Sequence, residues 1–250
     1  MVTIGSIKLD NNTPKICVPI VGESLNEIIQ ECRYIQDKPH DLLEICMDFF
    51  KDAADNAAVT SLLQAMRQEI GHTPLLFTFR TKAEGGEAEI GEDAYFSLLR
   101  CAIESGKVDA IDIEYNHCHY DIEKTLQIAK SHHIAVIMSS HDFKRTPSYD
   151  EIVNRLLDMK RLGADISKIA CMPVSPKDVL TLLAATEAVK SSYPDYPLIT
   201  MSMGKLGAIS RICGETFGSS ITFGSARKAS APGQLDVTTL HKIITSLSIQ

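Results

Sequence analysis

The sequence has no CxxC pair among its seven cysteines, which sit at positions 17, 32, 46, 101, 118, 171 and 213. An odd number of scattered cysteines argues against a disulfide framework, and a reducing, cytoplasmic setting is expected. Positive charge is also short: 25 basic against 32 acidic side chains leave a net charge of -7. That balance argues against a nucleic-acid groove or an anionic membrane surface as the main partner, so an anionic ligand must meet a local cationic pocket. No apolar run approaches membrane-spanning length, and the opening MVTIGSIKLDNN lacks the charged-then-apolar pattern of a secretory leader. Neither a GxGxxG after the first strand-like run nor a GxxxxGK[ST] occurs, and GESLNE (22–27) is no phosphate cradle. No low-complexity stretch or charge block marks a linker, so residues 1–250 are expected to form a single domain around one large core.

What is present is a regular alternation. Eight short apolar or β-branched runs recur: KICVPIV (15–21), LLEICMD (42–48), LLFTFR (75–80), AIDIEY (110–115), IAVIMSSHD (134–142), ISKIACMP (166–173), PLITMSM (197–203) and SITFGS (220–225). Segments with helical spacing lie between them, with Ser24, Asp121 and Ser175 as expected N-caps and Gly71, Gly106 and Gly163 as expected C-terminal stops. Eight βα units in this length point to a closed (β/α)₈ barrel, with an open doubly wound sheet as the competing architecture. Residues 1–14 are expected to form a hairpin turning at Asn11 and Asn12 and plugging the barrel floor.

Barrel strands alternate their side chains between the interior and the surrounding helices, so parity sorts the polar residues. Lys168 shares parity with Ile166, Ala170 and Met172; Glu44 with Cys46 and Asp48; Thr78 with Arg80; Asp112 with Glu114; and Ser139 with His141. Charges of both signs thus line one interior, which a purely structural barrel would have little reason to tolerate. A buried lysine is expected to have a lowered pKa and to attack a ketone as the neutral amine, forming a Schiff base. His141 can then move a proton beside the iminium, and Glu84 in the glycine-flanked loop TKAEGG can orient it. Arg80 and Arg211 offer positive charge for a carboxylated substrate, while KASAPGQ (228–234), with Ser230 and Gln234, reads as a mobile loop over the last strand. His117, Cys118 and His119 invite a metal reading, but their one-residue gaps and the lack of a second cluster argue against it, and no metal is expected.

Taken together, the blocks PKICVPI, PLLFTFRTKAEGGE, VDAIDIE, VIMSSHDF, LGADISKIACMP, PLITMSM, ISRICGETFGSSITFG and KASAPGQ resemble, in this order and over nearly the whole chain, the type I 3-dehydroquinases. The resemblance implies a (β/α)₈ homodimer that converts 3-dehydroquinate to 3-dehydroshikimate, the third step of the shikimate pathway, without metal or diffusible cofactor. It places the Schiff-base lysine on Lys168, the acid/base histidine on His141 and its supporting carboxylate on Glu84. It also places substrate contacts on Glu44, Arg80, Arg211, Ser230 and Gln234. One departure stands out: where the family's second strand carries a substrate-facing arginine, this chain has Cys46, which predicts a weakened or altered enzyme. The alternatives are a degenerate barrel that binds a polyhydroxylated carboxylate without turnover and, less well supported, a Schiff-base aldolase.

Overall fold

Each of the eight apolar runs forms a strand, and the segments between them fold back along the outside. A hairpin of β1 (Val2–Ile4) and β2 (Ile7–Leu9) leads into β3 (Lys15–Ile20), α1 (Leu25–Ile35), β4 (Leu42–Cys46), α2 (Asn56–Ile70), β5 (Leu75–Thr78) and α3 (Glu92–Glu104). There follow β6 (Ala110–Glu114), α4 (His119–Ser131), β7 (Ala135–Asp142), α5 (Tyr149–Leu162), β8 (Ile166–Cys171) and α6 (Pro176–Ser192). The chain ends with β9 (Leu198–Ser202), the one-turn α7 (Gly214–Phe217), β10 (Ile221–Ser225), β11 (Leu235–Asp236) and α8 (Val237–Leu247). The computed structural model describes residues 1–10 and 13–249.

Strands β3 to β9 are parallel neighbours in chain order, and β10 pairs with β3. The ring closes at a seam between β9 and β10, where one parallel bridge joins Leu198 to Ser219 and the Ser220 N–H donates to the Leu198 carbonyl at 2.7 Å. This is the expected (β/α)₈ barrel with one irregular unit. After β9 a 3₁₀ turn (Ala208–Arg211) and α7 replace a full helix. Glycines 204, 207, 214 and 218 interrupt any helical period there, since glycine inside a helix carries the largest backbone entropy cost of the ordinary residues.

The parity argument holds in the packing. Cys17, Leu42, Leu76, Ala110, Ile137, Ile166 and Ala170 form an inner cluster, while Ile45, Phe77, Ile111, Ile113, Ile169 and Cys171 pack outward into the layer shared with the helices. The hairpin contributes Ile4 and Leu9 to the inner cluster, beside the first residues of β4, β6, β7 and β8, and so plugs the N-terminal end of the barrel. Its turn is at Gly5 and Ser6, because Ile4 pairs with Ile7 and Gly5 takes a φ of +54°. Asn11 and Asn12, the expected turn, lie outside the described residues. Ser24 and Ser175 cap α1 and α6 as expected, and Gly71 and Gly163 close α2 and α5. Asp121 is not a cap: α4 starts two residues earlier, and the carboxylate sits in its first turn, where the helix dipole still favours it.

Candidate active site

With the floor sealed, the polar residues of the strand ends frame a cleft at the opposite face. Glu44, Cys46, Arg80, His141, Lys168, Ser230 and Gln234 all line it, together with Asp48, Thr78, Met201, Met203 and Phe223. Glu84 and Arg211 do not line the cleft; each stands behind it.

Lys168 is central and only 4 % exposed. Its Nζ lies 2.8 Å from Asp112 Oδ2 and 3.6 Å from Glu44 Oε1, with the Phe223 ring 5.1 Å away. The expectation of a lowered lysine pKa is overturned here. Burial does pull it down, but Asp112 and then Glu44 more than reverse that effect, so the amine is held protonated, above its ordinary value. Asp112 is in turn fixed by a short hydrogen bond from Ser139 Oγ, and Glu44 accepts Thr78 Oγ1 at 2.9 Å.

His141 comes from the end of β7. Glu84 Oε2 accepts its backbone N–H at 2.9 Å and pairs with ring Nδ1 at 2.8 Å, which leaves Nε2 as the ring nitrogen without a hydrogen-bond partner among the described residues. The glycines after Glu84 do more than permit motion. Gly85 has φ +85° and lies against Phe143, where a β-carbon would fall 2.5 Å from the ring, while Gly86 lies against the Arg80 carbonyl. The loop is therefore packed onto the residue two positions past His141.

The two arginines both reach the loop that follows β10. Arg80 Nη2 donates to the Ser230 carbonyl at 2.9 Å, and Arg211 Nη2 to the Pro232 carbonyl at 3.1 Å. Arg211 is 2 % exposed, behind Met201, and burial lowers its pKa to about 10. The Nε of each has no partner among the described residues. Ser230 and Gln234 bond to each other, Nε2 to Oγ at 3.1 Å and the Ser230 N–H to Oε1 at 3.0 Å, which shapes the loop from within.

Cys46 occupies the acidic side of the cleft. Its thiol lies 3.6 Å from Glu44 Oε2, and burial, then Glu44 and Asp48, push its pKa well up, so it stays neutral. Asp48 accepts the Glu87 N–H at 3.1 Å through Oδ2, while Oδ1 has no partner among the described residues. His117, Cys118 and His119 do not converge: His117 stacks on Tyr95 at 4.2 Å between Glu114 and Glu92, and Cys118 and His119 are exposed.

Sequence reasoning placed Asp112 inside the barrel but assigned it no role, and it passed over Phe143 and Asn116. For Asp112 the parity with Glu114 and its position beside Ser139 were the usable signal. For Asn116 there was none, because its partner Glu84 is remote in the chain.

Fold and site define a class: a (β/α)₈-barrel enzyme with a lysine and an oriented histidine facing one cleft, equipped for Schiff-base chemistry. The family model for type I 3-dehydroquinase matches residues 16–250, and the chain belongs to that family. It is 46% identical over 247 residues to a 3-dehydroquinate dehydratase of Klebsiella pneumoniae (strain 342), covering 99% of this chain and 98% of the relative. The 3-dehydroquinate dehydratase of Listeria monocytogenes serotype 4b (strain F2365) is 44% identical over 249 residues, covering 100% and 98%. Among solved structures, the type I 3-dehydroquinate dehydratase of Clostridium difficile with covalent modified comenic acid superposes with a TM-score of 0.95 at 43% identity, covering 98% of this chain and 96% of that one.

Proposed function

We propose that this chain dehydrates 3-dehydroquinate to 3-dehydroshikimate, the third step of the shikimate pathway, through a Schiff base on Lys168. The carrying observation is a buried amine between two carboxylates in the same cleft as a histidine anchored by Glu84.

The protonated state of Lys168 fits this chemistry. An ammonium and a ketone give an iminium and water with no net change of charge, so the same nitrogen carries the cation before and after condensation. Asp112 and Glu44, which hold the ammonium, are equally placed to hold the iminium. Attack itself needs a neutral amine, and the nearest acceptor for the transient proton is Asp112 at 2.8 Å. The iminium then acidifies the adjacent carbon. His141 Nε2 takes that proton, electrons flow toward the nitrogen, and the hydroxyl one carbon further leaves as water with the proton returned by His141. Hydrolysis of the product iminium frees Lys168.

Arg80, Ser230 and Gln234 hold the carboxylate and hydroxyls of the substrate, with Glu44 on the same cleft wall and Arg211, behind Met201, adding positive charge from the second layer. By family likeness the chain works in the cytoplasm as a homodimer of single barrel domains, on a small molecule rather than a nucleic acid or membrane; light scattering after size exclusion tests the assembly. No helix among the described residues is long and apolar enough to cross a membrane. The test of mechanism is borohydride reduction in the presence of 3-dehydroquinate followed by intact and peptide mass. An adduct on Lys168 is expected, and its absence refutes the covalent route.

A further inference from the structure

The turn that joins β6 to α4, Tyr115–Cys118, has no part in the proposed reaction, yet it touches the support of the acid/base histidine. Glu84 has two carboxylate oxygens with separate duties. Oε2 takes both hydrogen bonds from His141, at 2.9 and 2.8 Å, whereas Oε1 accepts the side-chain amide of Asn116 at 2.9 Å. A carboxylate anchored through one oxygen alone can turn about its last carbon–carbon bond, and such a turn would carry Oε2 out of line with the imidazole. The Asn116 bond removes that freedom.

Asn116 is itself held in register with the Glu84 loop. Glu114, two residues earlier, accepts the Thr81 N–H at 2.7 Å and the Thr81 hydroxyl at 2.8 Å, while the Thr81 carbonyl accepts the Glu84 N–H at 3.0 Å. On the other side of Asn116, His117 stacks on Tyr95, whose hydroxyl accepts the Glu114 N–H at 2.9 Å. Residues 114–117 and 81–84 therefore form one clamped unit, and Asn116 is its member that reaches the catalytic support.

We propose that Asn116 is a positioning residue: its amide fixes the plane of the Glu84 carboxylate, and through it the orientation and tautomer of His141. The inference rests on the proposed Lys168–His141 mechanism. Asn116 is exposed, so water can replace part of what its amide supplies, and the effect of its loss is moderate. In Asn116→Ala, kcat is expected to fall about three- to tenfold with KM changed less than about twofold, because His141 acts in the transition state rather than in binding. Asn116→Asp keeps the shape but turns the donor into a second anion beside Glu84, and its kcat is expected to fall further. Borohydride trapping on Lys168 stays intact in both.

A cycle with Glu84→Ala supplies the decisive readout. If Asn116 acts through Glu84, adding Asn116→Ala to that variant changes kcat by less than about twofold. Full kcat in both single variants with trapping intact, or an undiminished further loss in the Glu84→Ala background, overturns the proposal while leaving the Schiff base standing. Failure of trapping in the unmodified protein overturns both.

Discussion

Asp112→Asn isolates the charge that holds Lys168. The substitution keeps the shape and a hydrogen-bonding oxygen while removing one of two anions from a buried cation. At an effective dielectric of about 20, a contact of 2.8 Å is worth about 6 kcal/mol and one of 3.6 Å about 5 kcal/mol, before the several kcal/mol that burial costs each ion. Asp112 thus supplies about half of the compensation, and its loss leaves the ammonium under-neutralised. Breaking a buried pair from one side costs about 3–5 kcal/mol. At about 2–4 °C per kcal/mol for a chain of this size, Tm is expected to drop by about 6–20 °C.

The sign of the pH effect follows from the raised lysine pKa. A group raised in the folded state contributes its stability fully below its unfolded value and loses it as pH climbs through the folded value, so the pair is at full strength at pH 7. In the variant, burial regains ground and the amine deprotonates more readily. Borohydride trapping, followed by intact mass across pH, is therefore expected to extend to lower pH than in the unmodified protein. Turnover is expected to fall all the same, because the iminium has lost a counter-charge. A variant whose Tm stays within about 1 °C and whose trapping curve superimposes on that of the parent would refute the role of Asp112 as the main counter-charge of Lys168.

Three other perturbations probe the cleft, its loop and the turn after β6. Cys46→Arg places a cation beside Glu44 and Asp48, where burial and then the negative charge of both carboxylates push the Cys46 thiol up; steady-state kinetics are expected to show kcat/KM rising about ten- to a hundredfold, and an unchanged or lower value would mean that the cysteine is no defect. Gly233→Ala puts a β-carbon against the Gly204 backbone at a φ of +80°, so the loop carrying Ser230 and Gln234 should open and KM should rise about tenfold, with trapping at saturating substrate retained. His117 has a raised pKa, since Glu114 and Glu92 outweigh the opposing effect of burial. Its contribution is present below about 6.5 and lost at higher pH, and the Tm gap between the parent and His117→Gln should narrow from pH 6 to pH 9.

The parts of this molecule legible in the sequence are those governed by short-range periodicity. Alternation within ISKIAC separates Lys168 and Ala170, which face inward, from Ile169 and Cys171, which face the helices, because a strand's two faces are fixed by its pleat whatever it packs against. The same rule brings Glu44, Arg80 and His141 to one cleft. It fails for 203–218, where clustered glycines leave no period to read and the chain builds a 3₁₀ turn and a single helical turn instead of an eighth full helix.

It fails differently for Lys168, and that failure is the more instructive. Parity established that the amine is buried, and burial alone lowers a lysine pKa. The opposite direction arises from Asp112, 56 residues away, and from Glu44 on a third strand, so its sign is a property of the closed ring. Asn116 and Glu84 repeat the pattern at a separation of 32. Periodicity places a group inside, but the charge state on which its chemistry depends is set by the strands that close around it, and for Lys168 those strands keep the cation that the iminium will need.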